Sequence, residues 1–426
     1  MIGIGAAVLC VFAVMLVRIV RRPGVAVALL GFFFAGKQIV QTTIPFFAEY
    51  SAVLNIAVFG VLGLIWTYRL LRGRAELMLG IPREYAAHLV FFSLAFISML
   101  WSETPDVWSI FVEKIPNLLV YALLVPSLIA STRGLTEAYQ WLTWAGGGMC
   151  LLCLFVLPDP ESSSRLVLSA ETDSATTIFN PLALGTMGGF TAIASALGDH
   201  PQRRVISLLR LVTACAGLVV AARSSRGDFF ATVVALGVLG LVPSSTSRGL
   251  SGRRLIAGVV ALVAGAAILY YGLFLTDYWK RYENLAQDEG TLVRQSMITD
   301  MLSYYVDHPS TWLFGAGWLS SYVIVGFYPH NGPVQALAEL GLVGATLWWS
   351  SVVSVSVRGL RLARLASQTG SRSLDVLRPA VAMMFCAMIS NFKAGDCVDP
   401  MLALTLATCA QLIRRFRPES EKSILR

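Results

Sequence analysis

The chain has 426 residues, of which 56% are hydrophobic and 14% charged, and a formal net charge of +8; its mean hydropathy is +0.68. Soluble proteins carry roughly 25% charged residues to cover their surfaces, so a water-soluble domain is excluded. A disordered chain, a collagen-like repeat and a disulfide-dense secreted scaffold are excluded by the same figures. The composition reads as an integral membrane protein.

A helix needs about 20 mostly apolar residues to cross about 30 Å of hydrocarbon. Apolar runs lie at Ile2 to Val20, Gly24 to Ala48, Ala52 to Tyr68, Tyr85 to Trp101, Val107 to Ala130, Ala138 to Leu157 and Ile178 to Leu197. They continue at Ile206 to Ala222, Phe229 to Val242, Leu255 to Leu275, Pro333 to Val357, Pro379 to Phe392 and Met401 to Ile413. The expected fold is therefore all-α, a polytopic membrane bundle of about 12 to 13 transmembrane helices.

Arginines cluster in alternate gaps, at Arg18, Arg21 and Arg22, at Arg69, Arg72, Arg74 and Arg83, at Arg133, and at Arg203, Arg204 and Arg210. Later clusters are Arg248, Arg253 and Arg254, then Arg358 to Arg378, then Arg414, Arg415 and Arg417. The positive-inside rule makes these gaps and the C-terminus cytoplasmic, with the N-terminus outside if the first run is a span. The pI near 9.2 is then topology, and nucleic acid is not an expected partner. The first run is followed, not preceded, by its basic residues, which reads as a retained helix and not a cleaved signal peptide.

The long exception among the outer gaps runs from Thr276 to His330. It divides the chain into N-terminal helices over 1–275, a loop over 276–332, and C-terminal helices with a cytoplasmic tail over 333–426. Within it Leu292, Val293, Met297, Ile298, Met301, Leu302 and Tyr305 recur at helical spacing. They predict an amphipathic helix at the membrane surface, ending before Pro309, with Arg294 off the apolar stripe. Cys150 and Cys153 form a CxxC in GGGMCLLCLF, but that run has no polar support for a metal or a redox site, so both read as small buried hydrophobes. No metal site, cofactor or disulfide framework is expected.

Charges in or beside spans are costly and point to function. Lys37, Glu113, Lys114, Arg223, Arg226, Asp228, Lys393 and Asp396 all thread to the outer half of the membrane or its outer face. Cations there run against the positive-inside trend, and a polyanion at the outer leaflet, such as a lipid-linked diphosphate, gives a cause. Internal pairing or snorkelling is the competing reading for Lys37 and Glu113. Arg223 and Arg226 in AARSSRGDFF have almost no loop to solvate them. Among four histidines, His88 and His200 thread to the cytoplasmic side and His308 sits just before Pro309. His330 stands where the long loop re-enters the membrane, in HNGPVQALAELGLVG, and a neutral imidazole there can accept a proton. A transporter or flippase would also put charges in a bundle, but in broken, paired spans near the midplane.

His330 and Asn331, nine residues, Gly341, two residues and Gly344 reproduce the H-[NSQ]-x9-G-x-x-[GTY] pattern of bacterial O-antigen ligases. SSRGDFF resembles the Ser-Arg-Gly element of the wider ligase and polymerase superfamily, and Arg294 with HPSTWLFGAGW resembles its outer loop, with a Gly-x-Gly turn at Gly315 to Gly317. The resemblance is best from Val205 to Ser350 and loose before it, WSETP at Trp101 to Pro105 included. It implies a metal-independent, inverting glycosyltransferase of the bacterial inner membrane. Such an enzyme takes a glycan from undecaprenyl diphosphate at the periplasmic face and ligates it to a sugar hydroxyl of lipid A core. The alternative in the same superfamily is a polymerase that extends O-antigen or exopolysaccharide on a growing glycan acceptor. By resemblance His330 is the general base, and Arg226 and Arg294 hold the diphosphate. Arg223, Lys114 and Asn331 stand beside them as substrate-binding candidates. Gly341 and Gly344 are expected to permit close helix packing, and Glu339 to be a helix-face residue.

Overall fold

The computed structural model describes residues 2–72, 82–105, 107–129, 131–157, 166–171, 176–198, 204–240, 289–369 and 376–424. Every apolar run that falls on these residues is helical over most of its length. The run from Leu255 to Leu275 and the first part of the long loop, through 288, lie outside the described residues.

Helices α1 (Ile2–Arg21), α2 (Ala26–Thr43) and α3 (Ala52–Leu71) open the chain. They are followed by α4 (Arg83–Ser98) and α5 (Val107–Leu128). Within α5, Pro116 and Pro126 each remove a backbone donor, and a π turn lies between them at Val120–Leu124. The carbonyl of Ala122, the acceptor that Pro126 cannot serve, instead takes the buried Tyr85 hydroxyl of α4 at 2.9 Å. Helix α6 covers 132–155 as Thr132–Trp141, a π turn Leu142–Gly146, and Gly147–Phe155; Ser131 caps it by accepting from Gly134 N at 3.1 Å.

Two short antiparallel strands, β1 (Ser169–Glu171) and β2 (Thr176–Ile178), pair with Ser169 opposite Ile178. Then come α7 (Leu182–Leu197), α8 (Arg204–Ser224) and α9 (Arg226–Gly240). After the undescribed stretch follow α10 (Glu289–Asp307), α11 (Gly332–Thr369), α12 (Leu377–Ala394) and α13 (Pro400–Ile424).

Among the described residues six helices are long and apolar enough to cross a membrane: α1, Pro23–Thr43 with α2, α3, α5, most of α8, and Gly332–Leu365 of α11. They divide by position. The α2 window is 89% buried inside the protein, whereas those of α1, α3 and α5 are each 28% buried, so α2 runs through the middle and the others show apolar side to the hydrocarbon. Val17, Ile56, Leu64 and Leu71 project there, fully apolar and exposed. Where helices meet, small residues set the distance: a Cβ on Gly188 of α7 would meet the backbone of Gly217 and Ala221 of α8. Both members of the CxxC, Cys150 and Cys153, are buried among apolar neighbours, as their sequence context predicts. The protein is an all-α, multi-pass membrane protein.

The helix ends sort the charges. At one end Glu137 of α6 pairs with Arg18 and with Arg22, Glu84 of α4 pairs with Arg358, and Arg378 of α12 donates to the Leu239 carbonyl of α9 at 3.0 Å. At the other end lie the junction of α8 and α9, the start of α11, the loop between α12 and α13, and the loop between α4 and α5. Arg223, Arg226, Lys114, His330 and Asn331 lie on or beside these segments.

Candidate functional site

The SRGD element is the sharp turn between two helices. Helix α8 ends at Ser224 and α9 begins at Arg226, so Ser225 alone separates them. The Ser225 hydroxyl accepts from Asp228 N at 3.3 Å, capping the new helix. Arg223 and Arg226 are both half-buried, and the Arg223 carbonyl accepts from Leu166 N at 2.9 Å. Asp228 lies buried in the first turn of α9, where a carboxylate suits the helix dipole, and it accepts the Ser390 hydroxyl of α12. A Cβ at Gly227 would sit 2.5 Å from Lys393 Cδ and 3.3 Å from its Nζ. The glycine therefore lets Lys393 lie across the helix start, next in sequence to Arg226.

The HNG element is the cap of α11. The side-chain oxygen of Asn331 accepts from Val334 N at 3.1 Å and its carbonyl accepts from Gln335 N at 3.0 Å, while its amide donates to the Phe392 carbonyl at 2.9 Å. Gly332 lies against Asn391, leaving no room for a Cβ. His330 precedes this cap with φ of 54°, a left-handed conformation uncommon for a histidine. Its ring sits 4.4 Å from that of Tyr328 and 5.5 Å from that of Phe327. Both elements thus rest on one stretch of α12, Ser390 to Lys393.

A third element fixes the outer loop against this pair. Helix α11 is broken at Gly341, where φ is 67° and ψ is −167°. A break inside a span frees backbone groups that must find partners, and the Gly315 to Gly317 turn supplies them. Ala316 N donates to Ala338 O at 3.0 Å and Gly317 N to Glu339 O at 2.9 Å, while Leu342 N donates to Trp312 O at 2.8 Å. A Cβ on Gly341 would come within 2.6 Å of Gly315 N, and one on Gly315 would strike the Glu339 backbone. The role expected for Gly341, close packing of helices, is corrected: it breaks its helix to receive the loop. Gly344 is crowded by Leu340 and the Ala336 carbonyl of its own helix.

Glu339, on the helix face that the sequence implied, is fully buried. Its carboxylate accepts from Leu319 N at 3.1 Å and Ser321 N at 3.0 Å, and from Gln335 Nε2 at 3.0 Å. Gln335 in turn accepts from Cys397 N at 2.9 Å. The end of α4 and the WSETP segment after it hold the loop from its other side: Ser98 Oγ accepts from Trp318 N at 2.8 Å, and Thr104 donates to the Leu319 carbonyl at 2.7 Å. These anchors went unread in the sequence. The polar spacing Gln335 to Glu339, four residues apart on one helix face, was the available signal.

The other candidates are placed as follows. Lys114 of α5 is ion-paired with Asp396 and lies 5.8 Å from the Trp318 ring, so its charge is engaged within the protein. Burial alone would raise the Asp396 carboxyl, but the Lys114 ammonium and its hydrogen bond hold it below its ordinary value. Lys37 donates to Asn55 at 3.0 Å. Arg294 is half-buried in the first half of α10, a helix that packs on α11. Along α10 Met301 is buried while Leu292, Val293 and Leu302 are exposed. Desolvation pushes the Tyr328 phenol, beside His330, up to about 12, so it stays protonated as a potential donor.

No curated protein matches the chain. Residues 211–349, less than half of the chain, match the family model described as O-Antigen ligase, and over that stretch, which holds Arg223, Arg226, Arg294, His330 and Asn331, the protein resembles the O-antigen ligase and polymerase superfamily.

Proposed function

We propose that the protein is an O-antigen ligase of the bacterial inner membrane, transferring a glycan from undecaprenyl diphosphate to a sugar hydroxyl of lipid A core at the periplasmic face. The observation that supports this best is the common seat of two chemically distinct elements. The base candidate His330 and the cation candidates Arg226 and Lys393 are held on the same end of α12, through Asn331 to Phe392 and through Asp228 to Ser390.

Transfer needs a base for the acceptor hydroxyl and a counter-charge for the departing diphosphate. His330 takes the proton, worth on the order of 10²- to 10⁴-fold. Arg226, at the N-terminus of a long helix whose dipole favours anions, binds the diphosphate with Arg294, and Arg223 stands one turn before it. The acceptor oxygen attacks the anomeric carbon as the diphosphate leaves from the opposite side, which inverts the configuration. Asn331 acts by placing His330, with its own side chain committed to the cap.

The test is to delete the gene in its own host and resolve surface and lipid-linked glycans on one gel, with His330→Ala as complementation control. Long chains stranded on undecaprenyl diphosphate beside bare lipid A core are expected. Single repeat units stranded instead would make the protein a polymerase, and an unchanged pattern would turn attention to transport.

A further inference from the structure

Between α2, α7 and the start of α13 lies a cavity of about 300 Å³, at the lower end of the roughly 300–1,000 Å³ typical of small-molecule sites. Its polar wall is Gln38, Asn180, Thr186 and Asp399, and Phe34 and Met401 contribute apolar wall. None of these residues has a part in the reaction described above.

The polar groups are built in and incompletely used. Gln38 is 9% exposed; its Nε2 donates to the Asn180 carbonyl at 2.8 Å, which fixes the amide, while Oε1 is buried without a hydrogen-bond partner. An acceptor left so costs about 1–3 kcal/mol, a cost that a donor from a ligand would remove. Asp399 caps α13, accepting from Leu402 N at 2.7 Å and from the Met401 amide, and a carboxylate has lone pairs beyond those two for a ligand. Asn180 uses its side-chain oxygen on Leu182 N at 3.0 Å, so its amide hydrogens remain to donate. Phe34 is held by stacking on Tyr121, with ring centroids 5.9 Å apart.

This set of groups selects its ligand. A carboxylate with Asp396 and Asp228 as electrostatic neighbours repels anions, so the cavity is not a second diphosphate site. Among the described residues no cluster of three or more His, Cys, Asp or Glu exists to hold a metal ion. Fixed acceptors, an amide donor, a hydroxyl and an apolar wall together match a neutral ring bearing several hydroxyls, whose C–H face meets Phe34 and Met401. Gly185, next to Thr186, lies directly against Asp228, so the cavity wall borders the α9 turn that bears Arg226.

We propose that this cavity is a sugar subsite that takes one neutral monosaccharide unit of the glycan handled at the adjacent His330 and Arg226 site. The identification of the unit as part of the glycan substrate rests on the transferase reading; the binding of a sugar does not. The site selects by hydroxyl pattern, and Gln38 and Asp399 read donors on the ring while Asn180 and Thr186 supply both kinds of partner.

The experiment measures binding without turnover. Full-length protein in lipid nanodiscs is probed by ligand-observed saturation-transfer NMR with millimolar glucose and N-acetylglucosamine, and separately with inorganic pyrophosphate. At least one sugar should show transfer that falls fivefold or more in Thr186→Val, which preserves shape, and in Ala183→Leu, which fills the cavity without touching its hydrogen bonds. Pyrophosphate binding should be unchanged in both variants and lost in Arg226→Ala. Sugar signals equal to wild type in both cavity variants, or no sugar signal from wild type, would overturn the subsite while leaving the diphosphate reading intact. Loss of sugar signal in the variants with no pyrophosphate binding to wild type would sustain the subsite and remove the diphosphate reading. Size-exclusion profiles identify a variant that has not folded, and the other of the pair then decides.

Discussion

Asn331 donates its side-chain amide to the carbonyl of Phe392 at 2.9 Å, so the turn bearing His330 is tied to the helix end that also receives Asp228. The same side chain caps α11 through its oxygen. The two bonds separate by substitution. Asn331→Asp keeps the cap acceptor but removes the donor, and should retain thermal stability while losing most turnover. Asn331→Ala loses both and should in addition cost about 0.5–2 kcal/mol of stability, as lost caps do. Thermal melting and glycan transfer on the same preparations separate these effects, and full activity in Asn331→Asp would mean that the tie to Phe392 does not position the base.

His330→Ala should leave the protein inserted in the membrane and competent to bind donor lipid, with transfer reduced on the order of 10²- to 10⁴-fold. Because the histidine occupies a left-handed backbone position at φ of 54°, His330→Gly should be as inactive yet no less stable, the glycine adopting that conformation freely. Residual transfer near the wild-type rate in either variant removes His330 as base.

Arg226→Lys and Arg294→Lys retain charge but replace a planar fork by a point charge. Each should weaken donor binding, read as a raised KM for the lipid-linked donor, with Arg226→Lys the more damaging because its residue also begins a helix aimed at the anion. Donor affinity equal to wild type in both would take the diphosphate away from these arginines.

Much of this was open to reading in the sequence, because hydrocarbon imposes its demands locally. A span must be helical and apolar within its own length, so runs such as Ala52 to Tyr68 announce α3 without knowledge of any neighbour. Polar residues that the bilayer penalises, Arg223 and Arg226 among them, stand out for the same reason. What escaped were pairings that join distant segments. Nothing near Gly341 says that its backbone will be completed by Gly315 to Gly317, and the Gln335 to Glu339 spacing marks a polar helix face without saying that Glu339 will hold Leu319 and Ser321. Lys114 read as a spare cation because Asp396, its partner, lies 282 residues further along the chain.

That pairing of glycines makes a graded prediction. Gly341→Ala and Gly315→Ala meet both a left-handed backbone, at φ of 67° and 72°, and backbone atoms that cannot retreat. Gly326 has φ of 78° with nothing within 4 Å of a Cβ. Gly326→Ala should therefore cost only the conformational strain, of order 1–3 kcal/mol, and the other two distinctly more, with loss of the docked loop and of transfer. Equal melting temperatures for the three variants would show that the loop does not depend on the break in α11.

Asp399 gives the pH dependence its sign. Desolvation raises its carboxyl from 3.8 to about 6, opposed by the Leu402 amide and assisted by Asp396. A raised folded value means that the protonated form is favoured on folding, so this contribution to stability is fully present below pH 3.8 and is lost as the pH rises through about 6. Asp396 runs the other way: it is held down by Lys114, so its contribution persists above 3.8 and fades only at lower pH. Asp399→Asn keeps the cap oxygen for Leu402 and has no proton to lose. The melting temperature of wild type in nanodiscs should thus fall relative to Asp399→Asn between about pH 4 and pH 6, and the difference should be constant above that range. Parallel melting curves for the two proteins across those values would place the charge of Asp399 in water, open to solvent, and would remove the enclosed carboxyl that makes the neighbouring cavity selective against anions.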